Sequence, residues 1–284
     1  MTLKWTFSVF FIFFFSFLYG NKEVIPFKLI QNLIIIEADF DKVKGNFIVD
    51  TGSDAVFVNQ NASTSNKKSE TFNTLNGQVA SFGLTIKRLQ VGNITKHNLD
   101  AYYTNLSNLE KFLSVDIAGI VGTDVFSPHS LYFDFESNFI HVLKDSPNIN
   151  DYSLKNELSF YWTSGLPVTD IKIGQQEYCF ILDSGASIHI FDNSLVQNHK
   201  SFFTSVISDI AVETLGSNEP SIASKYTVSS LDIGSASLQN LSCLVQSFDQ
   251  INETNTKKIS GILSISRLSL SGVLVDFHHK KLYF

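Results

Sequence analysis

"FIVDTGSDAVFV", residues 47–58, decides how this chain is read. An apolar run ends on Asp50, then come Thr51, Gly52 and Ser53, and a second apolar run follows. A carboxylate at the rim of an apolar layer is costly unless a partner group answers it. The chain supplies a counterpart 133 residues on, "FILDSGASIHIFD" at 180–192, with Asp183, Ser184 and Gly185 in the matching places. Gly52 and Gly185 leave no side chain at a tight turn, which allows either close approach by another backbone or a positive φ. Thr51 and Ser184 offer hydroxyls that can bond across to the other copy. If the two turns meet on a pseudo-two-fold axis, Asp50 and Asp183 come face to face.

The repeat extends outward from these turns. "TIKRLQVGNITKHNLDAYY" at 85–103 matches "TVSSLDIGSASLQNLSCLV" at 227–245, each a strand, a Gly turn and another strand. "IAGIVGTDVFSPHSLYFDFESNFIHVL" at 117–143 then matches "ISGILSISRLSLSGVLVDFHHKKLYF" at 259–284. Three matched blocks in one order make two copies of one unit, at 25–143 and 157–284, with a linker at 144–156. Each copy reads as β. "LIIIEADFDKVKGNFIVD" at 33–50 and "LPVTDIKIGQQEYCFILD" at 166–183 have the pattern of hairpins, with Gly45 and Gly174 in the turns. Closing hairpins turn near Ser137-Asn138 and His279-Lys280, and the best short helical candidate is 194–203.

The motif hydrophobic-hydrophobic-Asp-Thr/Ser-Gly-Ser/Ala occurs at both points of the repeat, and Ile120-Val121-Gly122 follows the first by about seventy residues. This combination resembles the signature of aspartic proteases of the pepsin and retropepsin clan. Two such short copies in one chain are similar to the retropepsin-like bacterial aspartyl protease family, over about residues 25–284. The resemblance implies an all-β, two-lobed aspartic protease fold, a pseudo-two-fold pair of retropepsin-like β-barrel lobes. It implies peptide-bond hydrolysis in which Asp50 and Asp183 hold the attacking water, one as general base and the other, protonated, as general acid. Thr51 and Ser184 would brace the pair, and Gly52 and Gly185 would permit its close approach. Ile120, Val121 and Gly122 would pack behind Asp50; Ile262 and Leu263 are their counterparts, but Ser264 stands where Gly is expected, which predicts altered packing behind Asp183. A flap is expected between Asp50 and residue 85, and "TLNGQVASF" at 74–82, turning at Asn76-Gly77, is the candidate. "TLGSNEPSIAS" at 214–224 reads as its mirror or as a surface loop. No metal or organic cofactor is required. The partner is a peptide or unfolded protein in extended form, and two copies in one chain remove the need to dimerise, so a monomer is expected.

Elementary electrostatics supports the pairing independently. Two carboxylates about 4 Å apart at an effective dielectric near 20 repel by about 4 kcal/mol. They therefore share one proton over a window of pH, supplying an acid and a base at once.

Composition bounds the alternatives. With 284 residues and 44% hydrophobic content the chain can build two domains, and 17% charged residues argue against long disordered tails. A net charge of -6 without a basic block argues against nucleic acid. "MTLKWTFSVFFIFFFSFLYG" at 1–20 carries one cation, Lys4, and is too short to span a bilayer comfortably. It reads as a signal peptide cut after Gly20. Leu18 and Tyr19 stand where small residues are expected, so an uncleaved membrane anchor is the alternative, and membrane contact is expected only in that case. Either way the remainder is expected to be exported, to the periplasm, the medium or the cell surface. Cys179 and Cys243 allow one disulfide, contributing about 2–4 kcal/mol, or two buried free thiols. Neither has metal-ligand spacing. Asp39-Phe-Asp41 imitates an aspartyl-phosphate motif, but it falls inside a repeated hairpin and reads as a solvated turn, as does His278-His279. A non-catalytic binding module that keeps the protease fold is the rival function; the presence of both Asp residues favours the protease.

Overall fold

Strands form almost all of the regular structure, and several, such as those at 33–36, 259–264 and 272–276, are buried on both faces. The computed structural model describes residues 23–59, 69–75, 77–127, 129–144, 147–212, 221–253, 255 and 257–284. The apolar segment at 1–20, Asn76 and most of 214–224 lie outside these residues. The first copy contributes β1 (Glu23–Ile30), β2 (Leu33–Phe40), β3 (Val43–Val49), β4 (Val56–Asn59), β5 (Ser69–Thr74), β6 (Gly77–Val91), β7 (Ile94–Thr104), β8 (Gly119–Val121), β9 (Ser130–Asp134) and β10 (Phe139–Leu143). The second contributes β11 (Glu157–Ser159), β12 (Tyr161–Thr163), β13 (Leu166–Ile173), β14 (Gln176–Asp183), β15 (His189–Asp192), β16 (Phe203–Val212), β17 (Ser221–Ile233), β18 (Ala236–Gln246), β19 (Ile259–Ser264), β20 (Gly272–Asp276) and β21 (Lys281–Tyr283). Short helices intervene; one spans Asn193–Asn198, overlapping only the first half of the 194–203 candidate, whose end is a 3-10 turn at Lys200–Phe202 and the start of β16, and another spans Ser107–Leu113.

Each lobe carries its motif in the same way. β3 runs parallel to β8, pairing Ile48 with Ile120 and Val49 with Val121, and β14 runs parallel to β19, pairing Leu182 with Leu263 and Asp183 with Ser264. The β2–β3 turn is Asp41-Lys42, with φ of 47° and 74°, the conformation that matches the right-handed twist of a two-residue hairpin. Gly45 is therefore inside β3 rather than in the turn; a Cβ there would lie 2.3 Å from Ala118 Cβ. Gly174 does occupy its turn, at φ 64°.

The two lobes are joined by a sheet to which each gives three strands. Its order is β1-β10-β9-β20-β21-β11, and at the centre β9 pairs antiparallel with β20, Phe133 opposite Val273 and Tyr132 opposite Leu274. Asn138 and Lys280, at φ 60° and 56°, turn the two hairpins that meet there. Asp134 and Asp276 accept from the turn N–H groups of Glu136 and Ser137, and of His278 and His279. Ser130 also donates across the lobes to Asp276, at 3.1 Å. The main apolar cluster runs through both lobes and includes fully buried Phe47, Phe126, Phe133, Phe180 and Phe191; burying each side chain stabilises by about 1.5–3 kcal/mol.

The disulfide alternative fails on topology. Cys179 lies on β14 and Cys243 on β18, with β19 and β15 between them in the sheet. Three inter-strand steps place them roughly 14 Å apart, twice the reach of a disulfide. Both are buried free thiols, and burial pushes the Cys243 thiol up to about 12.

Candidate active site

The two motif turns meet between the lobes, and their hydroxyls cross. Thr51 Oγ1 donates to the Leu182 carbonyl at 2.9 Å, and Ser184 Oγ donates to the Val49 carbonyl at 2.7 Å. In return the Thr51 N–H donates to Ser184 Oγ and the Ser184 N–H to Thr51 Oγ1, both at 3.0 Å. Thr51 and Ser184 are fully buried, so these four bonds satisfy groups that would be costly to leave unpaired. Gly52 and Gly185 have ordinary negative φ, and close approach is the reason for both. A Cβ at Gly52 would lie 2.6 Å from the Asp183 carboxyl carbon, and one at Gly185 would lie 2.6 Å from that of Asp50. What approaches each glycine is the opposite carboxylate, not a backbone.

Asp50 and Asp183 are brought within hydrogen-bond reach of each other. The Gly185 N–H donates to Asp183 Oδ1 at 2.6 Å, with the Gly52 and Ala186 N–H groups beside it. Both residues keep partial exposure along the cleft, while protein encloses the carboxylates from the inner side. That enclosure raises both above the ordinary carboxylate range, and for Asp50 the charge of Asp183 raises it further. The pair thus holds on to one proton where isolated carboxylates have lost theirs. Asp50 Oδ1 is buried with no hydrogen-bond partner among the described residues.

Behind the pair the lobes differ. At Gly122 a Cβ would lie 2.5 Å from the Ala55 carbonyl and 2.6 Å from that of Ser53, and the Thr123 N–H donates to Ser53 O. The counterpart loop at 186–188 leaves room for the Ser264 side chain, whose hydroxyl donates to Ala186 O at 2.6 Å. Ser266 Oγ then donates to Asn32 O, and Asn32 Nδ2 to Ser187 O, tying the first lobe to the turn of the second.

A cleft of about 730 Å³ opens over the two aspartates. Phe57, Phe72, Leu109, Phe112 and Ile120 wall it on the first lobe; Ile181, Ile188, Ile190, Val212 and Ile262 wall it on the second. Two hairpins reach it, β5–β6 through Phe72, Thr74 and Leu75, and β16–β17 through Ile210, Ala211 and Val212. The candidate flap is thus one of a pair, and Leu75 packs into the apolar cluster of the opposite lobe. Thr74 pairs with Gly77, so Gly77 belongs to β6 rather than to the turn; Asn76 is outside the described residues. The sequence did not single out Leu75 or Asn32, although the repeat places Gln31-Asn32 opposite Ser164-Gly165 as matching positive-φ turns. Among the described residues no group of His, Cys, Asp and Glu is arranged to hold a metal ion.

Two β lobes, a pseudo-two-fold and a carboxylate from each at the axis define the architecture of an aspartic protease. A family model for aspartyl proteases matches residues 36–125 and 169–266, one region in each lobe. The chain belongs to that aspartyl protease family. A comparison with curated proteins finds no match.

Proposed function

We propose that this chain is an exported aspartic endopeptidase whose Asp50 and Asp183 activate one water between them. The observation that carries the reading is the juxtaposition of the two carboxylates, locked by the crossed hydroxyl bonds of Thr51 and Ser184. The unprotonated carboxylate takes a proton from water as its oxygen bonds to the scissile carbonyl carbon, and the protonated one donates to the carbonyl oxygen. The proton taken from water then passes to the leaving nitrogen as the C–N bond breaks, and the hydroxyl formed at the carbonyl oxygen returns its proton to the carboxylate that donated it. An extended peptide fits the cleft, and its apolar walls favour large apolar side chains on both sides of the cut bond. Export rests on the apolar leader at 1–20.

Digestion of a denatured protein between acid and neutral pH, with the products sequenced by mass spectrometry, tests this. Interior cuts flanked by large apolar residues are expected. Absence of cuts at every pH would leave the binding module as the better reading.

A further inference from the structure

Comparison of the two lobes at matched positions isolates one pair of changes. Where the first lobe has Val56 and Gly122, the second has His189 and Ser264. Both are buried, His189 at 1% exposure and Ser264 at 0%. They are bonded to each other: the Ser264 N–H donates to His189 Nδ1 at 3.1 Å. An imidazole nitrogen accepts only when it carries no proton, so the ring is neutral with its hydrogen on Nε2. Burial first, then the charge of Arg267, depresses its pKa to about 3, which keeps that form at working pH. From Ser264 the connection continues towards the chemistry. Its hydroxyl donates to Ala186 O, and the Ala186 N–H lies against the Asp183 carboxylate. In the first lobe the loop at 53–55 closes directly on Gly122 and needs no such bridge.

We propose that His189 is a positioning residue for the reaction: with Ser264 it replaces the glycine contact of the first lobe and fixes the loop whose N–H groups hold Asp183. The role rests on the dyad reading above. On β15, beside β19, His189 supplies the acceptor that the buried Ser264 N–H uses.

The test compares His189→Val, which removes the acceptor, with His189→Asn, whose Oδ1 can occupy the place of Nδ1. On a peptide that the wild type cleaves, His189→Val is expected to lose kcat about ten- to a hundredfold with KM little changed, the cost of a misplaced reacting group. His189→Asn is expected to stay near wild type. Amide hydrogen exchange at Gly185 and Ala186 is read in the same proteins, faster in the Val variant and protected in the Asn variant. If His189→Val does not fold, Ser264→Ala serves instead, with the same loss expected. Equal kcat and equal exchange in the Val and Asn variants, or full activity in Ser264→Ala, would overturn the proposal. A wild type that cleaves nothing refutes the dyad chemistry, and the exchange comparison still decides whether His189 fixes the loop.

Discussion

Asp50 and Asp183 are each enclosed by protein and each faces the other, so the folded protein binds a proton more tightly than separate carboxylates would. The sign of the pH effect follows. Between the unfolded value near 4 and the raised folded value, the native state carries more protons than the unfolded chain. The stability linked to that proton is fully present below about pH 4 and is lost as pH rises through the folded value. Replacing either Asp by Asn removes the penalty. Thermal melting of Asp50→Asn and Asp183→Asn should therefore show a higher Tm than wild type at pH 7, by a margin that shrinks towards pH 4; a lower Tm at pH 7 would contradict the account. Asp50, Thr51, Gly52 and their partners were legible in the sequence because each residue type is dictated by local chemistry and occurs twice. His189 was legible as a strand residue and lies on β15; its bond to Ser264 was not, because that depends on β19 lying beside β15, a contact between segments some seventy residues apart.

Hairpins were recognisable from apolar runs on either side of turn residues, but their registers were less so. Asn76-Gly77 has the composition of a two-residue turn, yet the ladder pairs Phe72 with Val79 and Thr74 with Gly77. That register keeps Val79 buried and lets Phe72 pack edge-on against Phe57 and Tyr102, so tertiary packing overrides turn preference. The Gly45 placement failed for a similar reason, since close approach by Ala118 rather than chain reversal requires glycine there. At this scale the consequential residue is Leu75, which crosses to the apolar cluster of the second lobe beside Ile210 and Val212. Leu75→Ser removes part of that apolar cover, and steady-state kinetics on a cleaved peptide should show KM raised about tenfold, near the worth of a partly buried Leu side chain. An unchanged KM would mean that the hairpin does not close on bound peptide.

For the whole molecule, the internal repeat announced two lobes, and the structure adds how they are joined. Pairing of β9 with β20 joins residues more than a hundred positions apart, and no local sequence signal specifies it. The shared sheet fixes the lobes at the distance where Thr51 and Ser184 can exchange bonds, so neither lobe by itself contains a complete site. Among the described residues no helix is long and apolar enough to cross a membrane; export is tested by whether the mature chain from a secreting host begins after Gly20. The central claim is that one carboxylate from each lobe is indispensable. It is tested most directly by measuring peptide cleavage by Asp50→Asn and Asp183→Asn beside wild type, each shown to be folded. The account predicts that either substitution alone lowers kcat by about a thousandfold or more; a folded variant that retains wild-type cleavage would contradict it.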